Sequence, residues 1–538
     1  FAALWISMAH CIPTYTLASG LIGTGMNWWQ ALVTILAGNV IVLLPILANS
    51  HPGTKYGIPF PVFARAAYGV FGANVPAIMR AIVACGWFGI NCWFGGEALQ
   101  TFFRSLWAPW PKVLGENLFM GHLPTEWVSF GLFWSLNILI VYRGMELLRI
   151  VENWAAPYVL VMTAALVGWA IYTAHGLGPI MEDKGKFPTL KEFWPVFVPS
   201  VTAMIGFWAT LSLNMPDFTR FGRSQKEQAI GQVIALPTTM TVFAAMAVII
   251  TSASAKIYGK AMWDPIELVG HFESRIIVAI AMFTVVVATL SVNIAANVVS
   301  PANDFANIAP KLISFRTGGL ITGIVGILMM PWKLVADPSG YIFKWLLGYS
   351  GGLGSIAGVL ICDYWLVRNR RLHLADLYRR HGAYAYSSPA GAGMGAIGAV
   401  LLFLGGLVTF LSRRALGPVD QIGRSLIAGP FLPFVPFGHR AQLVGGITYG
   451  AMGLGALLVL AASVRIFLPN AAASHGTSWR AVLATAIGCA LAWVGLLVPW
   501  LRILFDYAWF IGGFGAAAFY FLLMLGAPKP APSFQSSR

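Results

Sequence analysis

One apolar segment, residues 81 to 100, contains the side chains with the clearest chemical potential. It carries an amide at Asn91 and a carboxylate at Glu97. Trp87 lies four residues before Asn91, so on a helix the two side chains share a face. An indole ring beside an amide can stack on a flat heterocycle and hydrogen-bond to its edge. The alternative is a packed helix in which tryptophan fills space and glycine permits close helix contact.

Two further apolar segments carry polar or aromatic residues of the same kind. The first contains Gly206-Phe207-Trp208, and the second runs from Ala288 through Ser291 to Asn297. An amide such as Asn297 can bind a ligand, or it can simply make a hydrogen bond between helices. Because three segments share these features, the sequence favours a binding site over simple packing.

The composition identifies the class of protein that holds these segments. Of 538 residues, 58% are hydrophobic and 10% are charged, whereas about a quarter of the residues in soluble domains are charged. Apolar runs long enough to cross a bilayer recur along the chain. Lipid admits only helices or closed barrels, and barrels need short alternating strands. We therefore predict an all-α, polytopic helical membrane protein whose surroundings are the lipid bilayer.

The charge and the scattered reactive residues exclude other classes. The net charge of +15 comes from Lys and Arg in short loops between spans, where membrane topology explains it and nucleic acid is not needed. The sequence contains no HExxH motif, and its nine histidines are scattered. We expect no enzyme, no cofactor and no certain metal site.

The apolar runs predict fourteen candidate spans. They lie at about 1–25, 28–47, 75–103, 127–142, 151–174, 194–216, 229–252, 274–300, 318–335, 342–367, 392–412, 442–468, 480–499 and 503–526. The Pro- and Gly-rich stretch from His51 to Arg65 is predicted to be a re-entrant or interfacial loop. Lys and Arg concentrate in alternate loops, which predicts cytoplasmic N- and C-termini in a plasma membrane, such as a bacterial inner membrane.

Two interrupted spans suggest an internal repeat. Segment 1 is interrupted at His10-Cys11-Ile12-Pro13, and segment 6 ends in Asn214-Met-Pro-Asp-Phe-Thr-Arg220. Broken helices at corresponding positions indicate an inverted-repeat transporter, and five spans per half invert the second half. The predicted parts are a transporter core, residues 1–368, with halves of about 1–175 and 194–368; a basic cytoplasmic loop, 369–387; an inserted helix pair, about 388–470; and two last membrane helices with a short tail, 471–538.

Several motifs resemble those of the nucleobase:cation symporter-1 family, whose members share the LeuT-type fold. The matching stretches are Trp28-Trp29-Gln30, His51 to Arg65, Gly86-Trp-Phe-Gly-Ile-Asn91, Asn214 to Arg220, Ser291 to Asn297 and Asp506-Tyr-Ala-Trp509. The likeness is dense over about residues 1–380. The family usually has twelve spans, so residues 388–470 look like an insertion and the expected total is twelve to fourteen.

The resemblance implies a function and roles for the residues above. It implies a secondary active symporter that imports a planar heterocycle, of the allantoin, uracil, cytosine or hydantoin type, with a cation. Trp87 would stack on the ring, Asn91 would bind its edge in place of the glutamine of many relatives, and Asn297 would bind the ring. The second aromatic falls on Phe207 or Trp208, and the sequence leaves open which of them faces the substrate.

The coupling cation is the least constrained part of this expectation. The family's sodium site would fall on Ala288, Ser291 and Val292, but Val292 has a methyl group where a hydroxyl is expected. Because sodium needs several hard oxygen ligands, proton coupling is favoured, with Glu97 or His10 as carrier. Glu97 could instead only tie helices together. The alternatives are a sodium-coupled transporter of the same fold for another small solute, or a membrane receptor that does not transport.

Overall fold

The computed structural model describes residues 2–143, 160–182, 184–338, 340–379, 382–389, 473–475, 477–497 and 501–525, and nearly all of them are helical. The predicted inserted helix pair at 388–470 lies outside the described residues, apart from Ser388 and Pro389 in a short strand. The predicted C-terminal tail after residue 525 lies outside them as well.

The α-helices of the described residues follow one another in this order: α1 (Ala2–Ala9), α2 (Ile12–Gly23), α3 (Trp28–Tyr56), α4 (Phe60–Tyr68), α5 (Asn74–Leu106), α6 (Pro124–Arg143), α7 (Leu160–Thr173), α8 (Leu177–Met181), α9 (Leu190–Phe207), α10 (Ala209–Asn214), α11 (Pro216–Thr219), α12 (Gln225–Tyr258), α13 (Pro265–Gly270), α14 (Arg275–Asn297), α15 (Val299–Ile308), α16 (Phe315–Leu328), α17 (Pro331–Leu334), α18 (Leu347–Ile361), α19 (Trp479–Leu497), α20 (Arg502–Asp506) and α21 (Ala508–Leu525). Turns of π-helix flank α18 at Gly340–Leu346 and Cys362–Val367. Short 3₁₀ helices cover Trp110–Lys112 and Leu374–Tyr378. Strands β1 (Ser387–Pro389) and β2 (Ala473–His475) pair antiparallel, with Ser387 opposite His475.

Seven stretches of helix within the described residues are long and apolar enough to cross a membrane. They are Trp28–Tyr56, Asn74–Leu106, Pro124–Tyr142, Gln225–Tyr258, Arg275–Ile308, Leu347–Val367 and Ala508–Leu525. Shorter apolar helices cover Leu160–Thr173, Phe315–Leu328 and Trp479–Gly495. Helices satisfy their backbone hydrogen bonds internally, as lipid requires. The helical class predicted from composition is confirmed, and the total of twelve to fourteen spans stays a prediction.

The chain forms two compact units that alternate along the sequence. The first unit comprises residues 1–40, 81–201 and 230–342, and the second comprises residues 41–80, 202–229 and 343–538. Trp87, Asn91 and Asn297 belong to the first unit, whereas Phe207 and Trp208 belong to the second. The two predicted inverted halves, 1–175 and 194–368, stay a prediction.

The break predicted in the first span is present in the first unit. Helix α1 ends at Ala9, and α2 begins at Ile12. Cys11 between them is extended, with φ −140° and ψ 162°. Pro13 lies in the first turn of α2, where its missing N–H costs no helix hydrogen bond. The hydrogen bonds of one continuous helix are therefore interrupted around His10 and Cys11.

The second unit contains a break that the sequence did not predict. Helix α9 ends at Phe207, and Trp208 leaves the helical conformation, with φ −98° and ψ 4°. The hydroxyl of Tyr349 donates to the backbone oxygen of Gly206 at 2.8 Å. This bond satisfies a carbonyl at the break, as a buried polar group requires. A second interruption at Met215, beside Pro216, is the one that the sequence predicted.

The stretch from His51 to Arg65 is helical at both ends, so the prediction of a loop there is wrong. Helix α3 continues to Tyr56, and α4 begins at Phe60. A carboxylate oxygen of Asp217 accepts from the backbone N–H of Phe60 at 2.7 Å, and Thr54 donates to the backbone oxygen of Thr219 at 2.9 Å. These bonds join the stretch to the Asn214–Arg220 motif within the second unit, which stabilises the start of α4.

Candidate functional site

The turn of α5 that carries Trp87 and Asn91 is buried, with Trp87 5% and Asn91 2% exposed. Asn91 Nδ2 donates to the backbone oxygen of Trp87 at 3.0 Å. Asn91 Oδ1 is buried and accepts no hydrogen bond from any described residue. Leaving a buried acceptor without a partner costs about 1–3 kcal/mol. The predicted pair therefore shares a helix face and presents an unsatisfied acceptor beside an indole ring.

Asn297 stands at one end of a chain of amides. Its Nδ2 donates to Asn293 Oδ1 at 3.0 Å. Asn293 Nδ2 then donates to Asn137 Oδ1 at 3.2 Å, and Asn137 Nδ2 donates to the backbone oxygen of Phe133 at 2.8 Å. Asn293 and Asn137 are 0% exposed, whereas Asn297 is half-buried. The predicted Asn297 is thus held by two amides that the sequence reasoning did not select.

Asn293 also brings the two predicted helix turns together. Its Nδ2 lies 3.3 Å from the backbone oxygen of Phe88 and 3.5 Å from Cys92 Sγ. Phe88 lies within the Trp87–Asn91 turn and Cys92 directly follows it, so this turn of α5 lies against the Asn293–Asn297 turn of α14. One signal was available in the sequence, since Asn293 lies four residues before Asn297 on the same helix face. The partner Asn137 is distant in sequence and had no such signal.

Helix α5 is held beside α16 by close glycine contact. A Cβ added at Gly326 would lie 2.8 Å from the backbone oxygen of Cys85 and 3.2 Å from the backbone nitrogen of Gly89. Small residues allow helix backbones to approach in this way. Trp134 Nε1 also donates to the backbone oxygen of Gly323 at 3.1 Å, which fixes α6 on the same helix.

In the second unit, Phe207 and Trp208 are both buried at the break after α9. Their rings are 4.8 Å apart and nearly perpendicular, at 88°. An edge-to-face pair of this kind holds both rings in fixed orientations. The choice of ring that faces a substrate stays a prediction.

A cavity of about 680 Å³ in the first unit lies beside the break in the first span. Its lining includes His10, Cys11, Phe243, Ala288 and Thr289. His10 Nδ1 donates to the backbone oxygen of Ile6, which leaves Nε2 as the ring nitrogen able to take up a proton. Thr289 Oγ1 is buried and bonds to no described residue.

The residues predicted for a sodium site are therefore only partly together. Ala288 lines the cavity beside the helix break. Ser291 is buried one turn further along α14, and the described lining of this cavity does not include it. Among the described residues, no group of three or more His, Cys, Asp or Glu side chains could hold a metal ion.

Glu97 lies in a different cavity, of about 410 Å³, also in the first unit. Glu126, Asp264, Glu267 and Arg104 share its lining. Asp264 caps α13 by accepting from the backbone N–H of Ile266 at 2.9 Å. Burial raises the pKa of Asp264 to about 6. The two predicted proton carriers, Glu97 and His10, thus occupy separate cavities.

Comparison with known proteins gives consistent matches. A family model described as "Permease for cytosine/purines, uracil, thiamine, allantoin" matches residues 1–413. The chain is 42% identical over 388 residues to an allantoin permease of Bacillus subtilis, covering 72% of this chain and 79% of that protein. It is 40% identical over 401 residues to a purine-uracil permease of Arabidopsis thaliana, covering 74% of this chain and 66% of the relative.

Solved structures give the fold. The inward-facing conformation of Mhp1 matches with a TM-score of 0.65 and 22% identity, covering 97% of this chain and 89% of that chain. Mhp1 in a closed conformation with bromovinylhydantoin bound matches with a TM-score of 0.58 and 24% identity, covering 87% of this chain and 93% of that chain. These likenesses confirm the predicted LeuT-type fold.

Proposed function

The chain belongs to the family of permeases for cytosine/purines, uracil, thiamine and allantoin, and on this basis we propose that it is a secondary active symporter. Its substrate is a planar heterocycle of the uracil, cytosine, allantoin or hydantoin type, imported with a cation. The relatives at about 40% identity are named for allantoin and for purines and uracil, which supports this class of substrate.

One observation carries the proposal, namely the unpartnered Oδ1 of Asn91 beside Trp87. A flat ring stacked on Trp87 would present its polar edge to this oxygen, and Asn297 on the adjacent turn would bind the same ring. Stacking contributes about 1–3 kcal/mol per base in nucleic-acid binders. Phe207 and Trp208 lie in the second unit, and the role of either as a second aromatic surface stays a prediction from the sequence.

For the coupling cation we favour a proton. Val292 supplies no hydroxyl, so one oxygen ligand of a sodium site is absent. His10 has a protonatable Nε2 at the helix break and lines a cavity with Ala288 and Thr289. Glu97 is the second candidate carrier, in its own cavity with Asp264. Sodium coupling is the alternative, with Ala288 and Ser291 among its ligands.

The membrane setting completes the proposal. The apolar helices and the family assign the chain to a membrane. We place it in a plasma membrane, such as a bacterial inner membrane, with both termini cytoplasmic. The excess of Lys and Arg in alternate loops supports this orientation.

Uptake by proteoliposomes tests the function. Radiolabelled uracil, cytosine, allantoin and hydantoin are offered separately, and we expect saturable uptake of at least one. Trp87→Ala should raise the apparent KM by about 5- to 150-fold, because it removes the stacking contact. Trp194→Ala serves as the matched control, since Trp194 is 59% exposed.

Two outcomes would contradict different parts of this proposal. If no compound of the panel enters in a saturable manner, the assigned function is wrong. If transport occurs and Trp87→Ala leaves the apparent KM unchanged, the function stands and the assigned site is wrong.

A further inference from the structure

We propose that the cavity of about 680 Å³ beside the first helix break is a second ligand site, which binds a single-chain amphiphile with an ammonium head. Helices α2, α7, α12, α13 and α14 of the first unit line this cavity, and its described lining includes none of Trp87, Asn91 and Asn297. The site is therefore separate from the one assigned to the heterocycle. Binding of the amphiphile does not depend on the proposed function, whereas its expected effect on transport rests on it.

The cavity and the substrate amide lie on opposite faces of α14. Ile277, Ala281 and Ala288 line the cavity, and spacings of about one and about three turns place them on one helix face. Asn297 follows Ala288 by about two and a half turns, so its side chain leaves the helix on the other side. A ligand in the cavity and a ring beside Asn297 can therefore be bound at the same time.

The stretch of the cavity between Ile277 and Ala288 accommodates one alkyl chain. The cavity follows α14 for about 16 Å between these residues, and one leaflet of the hydrocarbon core is about 15 Å deep, half of roughly 30 Å. Helix α7 contributes further apolar side chains such as Met162. The hydroxyl of Thr284 already donates to the backbone oxygen of Ile280 at 2.6 Å, so it needs no hydrogen bond from a ligand.

A carboxylate at the start of α14 determines the charge of the head group. Glu273 lines the cavity and makes no hydrogen bond or ion pair with any residue that the structure describes. Its charge acts on the hydroxyl of Tyr258 in the same lining. His271 Nδ1 donates to the backbone oxygen of Glu267 at 2.8 Å, which leaves Nε2 as an acceptor. Since the described lining contains no Lys or Arg, this end of the cavity favours a cation that carries N–H groups.

Aromatic rings surround the same end in two pairs. The ring centroids of Trp169 and Phe272 are 4.5 Å apart, and those of Tyr258 and His271 are 5.5 Å apart. Phe272 lies between His271 and Glu273 in the sequence, so both pairs lie beside the carboxylate. Rings of Trp, Tyr and Phe attract an ammonium group that lies within about 6 Å of a ring centroid. The rings and the carboxylate therefore attract the same kind of head group.

The chain reaches the cavity from the bilayer. Ala165 of α7 and Ile277 of α14 line the cavity and are also exposed. Tyr172 on α7 and Phe283 on α14 are 86% and 54% exposed, as expected for helix faces that contact lipid. The cavity thus opens between α7 and α14 towards the hydrocarbon, while its polar end lies at the ends of the helices.

The inner end of the cavity links the site to transport. His10, a proposed proton carrier, lines this end together with Thr289. An alkyl chain that fills the cavity excludes water from His10 Nε2 and so prevents proton uptake there. We therefore expect the amphiphile to lower the maximal rate of uptake and to leave the apparent KM of the heterocycle unchanged, because the two ligands occupy opposite faces of α14.

Photolabelling in lipid nanodiscs tests the site without any transport measurement. The probes are dodecylamine and dodecyl sulfate, each with a diazirine at the chain end. We expect the amine probe to label α14 between Ile277 and Ala288, in competition with excess dodecylamine, and the sulfate probe to label at least about fivefold more weakly. Glu273→Gln should weaken labelling by the amine about fivefold. Glu182→Gln is the matched control, because Glu182 is exposed and lies outside the described lining.

A variant that fills the cavity tests its separation from the substrate site. Ala281→Leu should reduce labelling by the amine probe and abolish inhibition of uptake, while the apparent KM of the heterocycle stays unchanged because Ala281 faces away from Asn297. If Ala281→Leu does not fold, Glu273→Gln, which alters an exposed side chain, still decides the proposal.

The remaining outcomes separate the site from the function. Equal labelling by both probes, or labelling confined to lipid-exposed residues such as Tyr172 and Phe283, would show partition into lipid only and overturn the site. Inhibition that raises KM at an unchanged maximal rate would place the amphiphile in the substrate site and overturn the proposal as well. Labelling as expected without uptake of any panel compound would leave the second site intact and refute the proposed function.

Discussion

Because α5 and α16 are in close contact at Gly326, adding one methyl group there with Gly326→Ala should strongly affect both stability and transport. The added Cβ would lie 2.8 Å from the backbone oxygen of Cys85 and 3.0 Å from Cδ1 of Phe88. Ordinary van der Waals contact begins at 3.4 Å. The oxygen belongs to the backbone of a buried helix and cannot rotate away. The two helices must therefore separate by about 0.6 Å, the difference between these two distances.

This displacement should reduce both stability and transport. Overpacking of this kind costs about 1–3 kcal/mol of the free energy of unfolding. The α5 residues that are pushed, Cys85 and Phe88, flank Trp87, and Phe88 also accepts from Asn293. Sub-ångström misplacement of the stacking ring and of the amides should raise the apparent KM by about tenfold.

Uptake and thermal unfolding in detergent measure the two effects together. Gly131→Ala in α6 is the matched control, because no atom lies within 4 Å of a Cβ at that position. It should leave KM unchanged and leave the melting temperature equal or slightly higher. If Gly326→Ala matches this control in both measurements, α5 and α16 are not in close backbone contact.

Three further predictions concern selectivity, coupling and pH. Asn91→Gln lengthens the acceptor by one methylene, so ratios of KM between panel compounds should shift; equal losses for all compounds would exclude direct contact. Uptake should follow an inward proton gradient and persist when choline replaces sodium. Val292→Thr restores a hydroxyl and should therefore introduce partial sodium dependence. Strict sodium dependence of the unmodified protein would contradict proton coupling. Burial raises the pKa of Asp264 from 3.8 to about 6, so its contribution to stability is complete below about pH 4 and is lost as the pH rises through about 6. Asp264→Asn keeps the cap on α13, so the melting temperature of this variant should fall less between about pH 4 and pH 6. If the melting temperature falls as much as in the unmodified protein, other groups cause the fall.

The sequence predicted those features of the fold that depend on local chemistry. Proline at position 13 and polar residues at 10 and 11 predict the break in the first span, since proline is tolerated in the first turn of a helix and not in its interior. The break at Trp208 has no proline. It depends on Tyr349, which donates to the carbonyl of Gly206, 143 residues earlier in the sequence. A Cβ at Gly206 would also lie 2.6 Å from the backbone oxygen of Leu346. Local propensity cannot reveal contacts of this kind.

The same limit explains the wrong prediction at His51 to Arg65. Its Pro and Gly content is typical of a loop, but the capping carboxylate that starts α4 belongs to Asp217. A Cβ at Gly53 would lie 2.7 Å from Cα of Pro216, so this glycine is required by close packing and not by a turn. Helix ends that are stabilised by distant residues resemble loops when the sequence is considered alone.

The site shows what spacing can and cannot predict. Four-residue spacing was sufficient to pair Trp87 with Asn91, because helix geometry fixes which residues share a face. It could not reveal the amide chain behind Asn297, because Asn137 lies 156 residues from Asn293 in the sequence.

The two proposed proton carriers lie on, or share a cavity with, the two helices that carry the proposed substrate amides. Glu97 lies on α5, six residues after Asn91, and shares its cavity with Asp264 from the segment between α12 and α14. His10 lies at the helix break and shares its cavity with Ala288 on α14, two and a half turns before Asn297 by helix geometry. A proton bound at either proposed carrier would therefore lie on, or in a cavity beside, a helix that carries a proposed substrate amide. Hydropathy alone identifies a titratable group within a span, but it does not show which helix that group would move.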